Sequence, residues 1–94
     1  MGKIYVGQSA LRFTLDTKID LSAASNTKIY YRKPDGTEGS WAATVTETNK
    51  LYYDVADETI IDIAGEWRLW AYAEFDSGVV YGEAVIKTVY EKGY

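Results

Sequence analysis

The sequence predicts an all-β protein, an antiparallel sandwich of about seven strands that forms a single domain over residues 1–94. In seven short segments apolar and polar residues alternate with a period of two, and turn signals separate the segments. No segment has a 3.6-residue apolar period over the length of a helix. Aromatic residues make up 15% of the chain, which also favours strands because aromatic side chains pack well on a pleated sheet.

The first elements are two short strands and a turn. Residues 4–6 form an opening strand, and residues 10–16 (ALRFTLD) place Leu11, Phe13 and Leu15 on one face. The tract 19–26 (IDLSAASN) is where a helical turn is expected before the next strand.

A hairpin follows in the middle of the chain. Its turn is Lys33-Pro34-Asp35-Gly36-Thr37, in which proline presets the first turn position and Asp-Gly tolerates positive φ. The strand before it covers residues 27–33, with Ile29 and Tyr31 inward, and the strand after it covers residues 40–46. Residues 50–55 form the next strand, and Asp57 is expected to cap a short turn at residues 56–61.

A second hairpin ends the chain. Residues 66–75 (EWRLWAYAEF) are followed by an Asp-Ser-Gly loop and by residues 79–90, which carry apolar side chains on both parities. A bulge at Gly82 would switch the parity partway along this last segment. With adjacent strands aligned, Tyr81 is followed on the predicted outer face by Glu83, Val85 and Lys87.

The outward parity of residues 66–75 is unusual because it contains a tryptophan and a tyrosine between charged residues. An immunoglobulin-type strand order places this segment between residues 27–33 and 79–90. The outer faces then form one aromatic and cationic patch. Because Trp, Tyr and Arg dominate interface hot spots, the patch is predicted to bind a protein or a glycan, and protein is favoured. Its residues are Tyr30, Arg32, Arg68, Trp70, Tyr72 and Tyr81.

Composition argues against an enzyme. The chain has no histidine and no cysteine, so the usual general base and the thiolate nucleophile are missing, and no catalytic residue, metal or cofactor is expected. Its net charge of −4 disfavours nucleic acid, and no apolar stretch is long enough to span a membrane. The N-terminal residues show no signal-peptide pattern.

An acidic cluster in residues 54–62 leaves two weak alternatives open. Carboxylates roughly 5–10 Å apart could serve glycoside hydrolysis, and several oxygen ligands could bind calcium. The spacing matches no calcium-loop pattern, and a chain of this size has little material for a deep cleft. A solvated acidic loop is therefore the favoured interpretation. The cluster comprises Asp54, Asp57, Glu58 and Asp62.

The order of these signals resembles the immunoglobulin-like domains of tailed-bacteriophage virion proteins, including the amino-terminal domain of baseplate upper proteins. The segments that carry it are residues 4–8 (IYVGQ), 29–37 (IYYRKPDGT) and 64–67 (AGEW). The resemblance implies an immunoglobulin-like sandwich and a non-enzymatic structural role in a phage or prophage virion, as capsid decoration or as a tail or baseplate subunit. It also implies synthesis in the host bacterial cytoplasm, localisation in the virion and contacts with other virion proteins, including copies of itself. The alternative function is a carbohydrate-binding module that uses the aromatic face.

Overall fold

The computed structural model describes residues 3–94, and within them it contains nine strands and no helix. The strands are β1 (Ile4–Tyr5), β2 (Arg12–Asp16), β3 (Asn26–Arg32), β4 (Glu38–Ala42), β5 (Thr44–Thr46), β6 (Lys50–Asp54), β7 (Gly65–Phe75), β8 (Gly78–Tyr81) and β9 (Val85–Tyr90).

The strands form two facing sheets, so the predicted all-β sandwich is confirmed. The larger sheet has the order β1-β9-β7-β3-β4, with β8 also paired to β7, and the smaller sheet has the order β2-β6-β5. The strand pairs are antiparallel except for β1 and β9, which run parallel.

The core lies between the sheets and follows the predicted alternation. Trp67, Leu69, Ala71 and Ala73 all point inward from β7 and are buried. Trp41 on β4 packs against three other aromatic rings in the core. The centroid of its ring lies 5.6 Å from that of Phe13, 4.7 Å from that of Tyr31 and 4.6 Å from that of Tyr53. Burying one such large apolar side chain stabilises a fold by roughly 1.5–3 kcal/mol, so the pattern of inward residues is sufficient to hold the sheets together.

The middle hairpin forms as predicted, but its second strand divides. The Lys33 N–H donates to the Thr37 carbonyl, and the Asp35 carboxylate accepts from the Thr37 N–H, which closes the turn. The segment predicted as one strand at 40–46 is two strands, β4 in the larger sheet and β5 in the smaller sheet. The chain crosses between the sheets at Ala43, which exchanges hydrogen bonds with Thr27.

The predicted helical turn at residues 19–26 is not helical, whereas the predicted short turn at residues 56–61 is present. In residues 19–26 the Asp20 carboxylate accepts from the Ser22 N–H, and in residues 56–61 the Asp57 carboxylate accepts from the Thr59 N–H. Asp57 therefore caps its turn, but both segments are non-helical because these side-chain bonds satisfy the backbone locally.

The last segment is interrupted between β8 and β9, and the predicted parity switch is present. The Gly82 N–H donates to the Ala71 carbonyl, and both strands pair with β7. Because Val85 and Lys87 are opposite the inward residues Leu69 and Trp67, they face inward, and their predicted place on the outer face is wrong. In the described part of the chain, no helix is long and apolar enough to cross a membrane.

Candidate interaction surface

The six residues predicted to form a binding face lie on one face of the larger sheet. Tyr30 is opposite Trp70 and Arg32 is opposite Arg68 where β3 pairs with β7. Tyr72 is opposite Tyr81 where β7 pairs with β8. Directly opposed residues point to the same side, and alternate residues on a strand share a face. The structure therefore brings together all six positions.

Four of these residues form the aromatic cluster, Tyr30, Trp70, Tyr72 and Tyr81. The Tyr30 ring stacks on Trp70 with centroids 5.9 Å apart and meets the edge of Tyr72 at 5.4 Å. Tyr81 lies 5.5 Å from Tyr72 and 6.5 Å from Tyr30. Three of the rings are half-buried and cover the sheet, whereas Tyr81 is 60% exposed. Mutual packing makes the cluster rigid, with Tyr81 as its most accessible member.

A hydrogen bond fixes one ring of the aromatic cluster. The Tyr72 hydroxyl donates to a Glu74 carboxylate oxygen 2.8 Å away. This hydrogen bond, together with desolvation and the negative charge of Glu74, raises the pKa of Tyr72 to about 12. The bond holds the phenol protonated and orients the ring against its neighbours.

The Glu74→Gln substitution is expected to lower the pKa of Tyr72 from about 12 towards the ordinary tyrosine value of about 10. Since the folded-state pKa is raised, the stabilisation by this bond is complete below pH ~10 and is lost between pH ~10 and 12. Ultraviolet absorbance of the phenolate checks this, with Tyr72→Phe identifying the late-titrating group. An unchanged late titration in Glu74→Gln would show that the carboxylate is not its cause.

The two arginines of the face are in different environments. The Arg32 guanidinium donates to Glu38 at 2.6 Å and lies 5.9 Å from the centre of the Trp70 ring. Arg68 is exposed on the neighbouring strand and makes no ion pair with any residue in the range 3–94. Like charges directly opposite across two strands disfavour pairing, so the Glu38 contact relieves the repulsion between Arg32 and Arg68.

A second apolar surface shares Tyr81 with the aromatic cluster, and its other four residues were not among the predicted site residues. Of the large hydrophobic residues exposed in the described structure, five lie on β8 and β9. We call them the apolar edge: Val79, Val80, Tyr81, Val85 and Ile86. The sequence carries a signal for it, since residues 79–90 are apolar on both parities, but alternation alone does not say which side is uncovered.

A groove lies beside one of two inward-pointing valines that are exposed. It has a volume of about 310 Å³ and lies between β2 and β9, with Leu15 on one side and Val85 and Lys87 on the other. The smaller sheet has three strands and does not extend over this part of the larger sheet. Val80 and Val85 therefore face the space between the sheets but remain 41% and 37% exposed.

Three of the four residues predicted as an acidic cluster contact other parts of the chain rather than one another. Asp54 accepts two hydrogen bonds from Arg12, and these bonds lower the pKa of Asp54 below its ordinary value. Asp62 pairs with Lys33, and the Asp57 carboxylate accepts from Thr59. Within residues 3–94, no group of three or more acidic, histidine or cysteine side chains could hold a metal ion.

Comparison with known proteins identifies a fold but no family. No protein-family model matches the chain, and no curated protein sequence matches it. Among solved structures, the chain is similar to CopC from Methylosinus trichosporium OB3b, with a TM-score of 0.62 and 15% sequence identity. The similarity covers 100% of this chain and 89% of CopC. At this level of identity the likeness establishes a shared sandwich fold.

This result overturns the expectations that rested on the virion resemblance. The structural match is to CopC and not to a virion domain. The predicted membership of the phage family, the structural role in a virion and the localisation in the virion are therefore wrong. The segments that carried the resemblance encode a strand, a Pro-Asp-Gly turn and the start of an aromatic strand, which unrelated sandwiches also need.

Proposed function

We propose that the chain is a non-catalytic subunit that assembles with further copies of itself through the apolar edge and the adjoining aromatic cluster. The observation that carries the proposal is the concentration of exposed apolar side chains on β8 and β9, next to four contacting aromatic rings. A contiguous exposed apolar patch of a few hundred Å² is typical of an interaction site.

The composition of this surface favours protein contact. Tyr81 and Trp70 are of the residue types that dominate interface hot spots, and Arg68 lies beside them with its charge unpaired within the described range. The rings are already ordered by mutual contact, so binding costs little additional side-chain entropy. A preorganised surface of this kind suits a subunit that repeats the same contact in each copy.

A catalytic role has little support. The chain has no histidine and no cysteine, and three of its four acidic side chains at 54–62 are engaged in ion pairs or a turn cap. Two grooves in the described residues, of about 310 and 420 Å³, contain no nucleophile with a partnered base.

A copper site is not proposed either, although the fold is shared with CopC. Copper sites in proteins are built from imidazole, thiolate and thioether ligands. This chain has no histidine, no cysteine and one methionine, and residues 3–94 hold no cluster of acidic side chains that could bind a metal. The donor set therefore does not fit copper, and the fold likeness does not extend to that chemistry.

Self-association is the test of the proposed function. The purified chain is expected to show a weight-average mass above that of the 10.6 kDa monomer, rising with concentration in sedimentation equilibrium. Since the exposed patch is smaller than the ~800 Å² per partner of a standard interface, the expected affinity is micromolar or weaker.

Variants locate the contact. Tyr81→Ser combined with Ile86→Ser is expected to weaken association about tenfold or more, because both side chains are exposed on the apolar edge. Ile19→Ser, which removes an exposed isoleucine outside the apolar edge, is the matched control and should leave the mass unchanged. A chain that stays monomeric at every concentration would refute the proposal. If the wild-type chain binds a glycan array and the double variant does not, a sugar-binding role would replace the proposal.

A further inference from the structure

The free edge of β8 differs from every other sheet edge in the described residues. All four residues of β8 are exposed, and the segment Gly78-Val79-Val80-Tyr81 contains no charge and no proline. It pairs with β7 on one side only. An edge of this kind presents unpaired N–H and C=O groups to any other strand that can approach it.

The remaining edge strands carry the features by which proteins prevent such pairing. β2 has Arg12 and Asp16 exposed at its ends, and β4 begins with the exposed Glu38. β1 has two residues and β5 has three, so both are too short to be good templates. β9 is also open at residues 85–88, where β1 does not reach it, but Lys87 interrupts the apolar run there. The edge of β8 lacks such protection, and its side chains are also apolar.

We infer that two copies of the chain associate by pairing β8 with β8, antiparallel about a two-fold axis centred on Val80, so that their larger sheets become one continuous sheet. This inference rests on the proposed self-assembly and specifies its geometry. An isologous two-fold contact closes as a dimer and uses the same patch on both copies.

Parity requires the two-fold axis to lie on a residue rather than between two residues, and Val80 is the residue of β8 about which all three apolar side chains pair with one another. Side chains opposite each other on antiparallel strands share a face, so an outward residue must meet an outward residue of the second copy. Val79 and Tyr81 point outward with Glu74 and Tyr72, whereas Val80 points inward with Ala73. Centring the axis on Val80 places the two Val80 side chains together and places Val79 of each copy opposite Tyr81 of the other.

The size of the surface favours a second copy at this edge over packing of the outer faces alone. The five residues of the apolar edge are only 37–60% exposed, so together they offer roughly a few hundred Å², less than the ~800 Å² that each partner of a standard interface buries. Edge pairing adds backbone hydrogen bonds to this area. It also brings Tyr81, the most exposed ring of the aromatic cluster, against the second copy, so that the two clusters adjoin.

Charge exchange at Val80 tests the geometry. Val80→Lys and Val80→Glu, each alone, are expected to raise the dissociation constant of the dimer about tenfold or more, because like charges would face each other across the axis. An equimolar mixture of the two variants is expected to recover association, since lysine then faces glutamate. Val80 is 41% exposed, so both variants are expected to fold, and circular dichroism checks this. Ala42→Lys and Ala42→Glu, on the exposed edge strand β4, are the matched controls.

The outcomes separate this inference from the proposed function. Recovery in the Val80 mixture, with no effect of the Ala42 pair, supports pairing at β8. A wild-type chain that dimerises while the Val80 mixture stays monomeric would refute edge pairing and leave self-assembly intact. A wild-type chain that never associates would refute both. Amide exchange gives a second readout: residues 78–81 are expected to exchange more slowly as concentration rises, and exchange independent of concentration in a dimerising chain would contradict the inference.

Discussion

Replacing Trp67 with alanine is expected to lower the free energy of unfolding by about 3–5 kcal/mol, the usual cost of removing a large aromatic side chain from a core. Trp67 is 1% exposed, and its ring lies 5.7 Å from Tyr31 and 6.4 Å from Trp41. Its indole N–H donates to the Ile63 carbonyl at 2.9 Å. The substitution therefore leaves a cavity between the sheets and removes a hydrogen bond. Urea denaturation followed by tryptophan fluorescence and circular dichroism measures the loss.

Trp70→Ala is the control for this prediction because Trp70 is on the same strand with the opposite parity. Its ring stacks on Tyr30 on the outer face and is half-buried, so we expect a loss of about 1–2 kcal/mol. Similar losses for the two variants would contradict the assignment of Trp67 to the core and Trp70 to the surface. Similar losses would also mean that the aromatic cluster is packed too tightly to be available for contact with another molecule.

Gly65→Ala is expected to cost about 2–4 kcal/mol, because two effects act at the first residue of β7. Gly65 has a φ of +129°, a region that residues with a Cβ rarely adopt. A Cβ at this position would also lie 2.8 Å from Cγ of Pro34, whose ring cannot rotate away. The glycine allows the start of β7 to pass against the turn of the middle hairpin. Thermal and urea unfolding check the loss.

Gly78→Ala separates the two effects. Gly78 has a φ of +142°, and a Cβ there would have no atom within 4 Å. Only backbone strain remains, so the expected loss is about 1–2 kcal/mol. If the Gly78 variant loses as much stability as the Gly65 variant, then strain accounts for the whole effect and the contact with Pro34 is unimportant.

The fold that this chain shares with CopC and the residues exposed on its surface are two separate properties. The sandwich requires inward apolar side chains and tight turns, and the likeness over 100% of the chain at 15% identity reflects those requirements. The functional surface is set by exposed residues, which the fold leaves free to vary. In this chain the exposed residues form an apolar edge and an aromatic cluster, which is why assembly is the better proposal.

The core could be predicted from the sequence in detail. Period-two alternation identified Trp67, Leu69, Ala71 and Ala73 as inward, and the Lys33–Thr37 turn joined two strands that do pair. The aromatic cluster was also predictable, because two hairpins and one shared neighbour were enough to align β3, β7 and β8. These features depend on residues close in sequence or on a single choice of strand order.

The sequence by itself therefore determined the sandwich, its inward faces and the six residues of the outer patch. The tertiary structure alone decided that the chain changes sheets at Ala43, that Ile86 and not Val85 faces outward, and that the edge of β8 is open. The physical reason is that alternation records which side of a strand is apolar. Whether that side is covered depends on strands far away in the chain, and for Val80 and Val85 the three-stranded smaller sheet does not reach them.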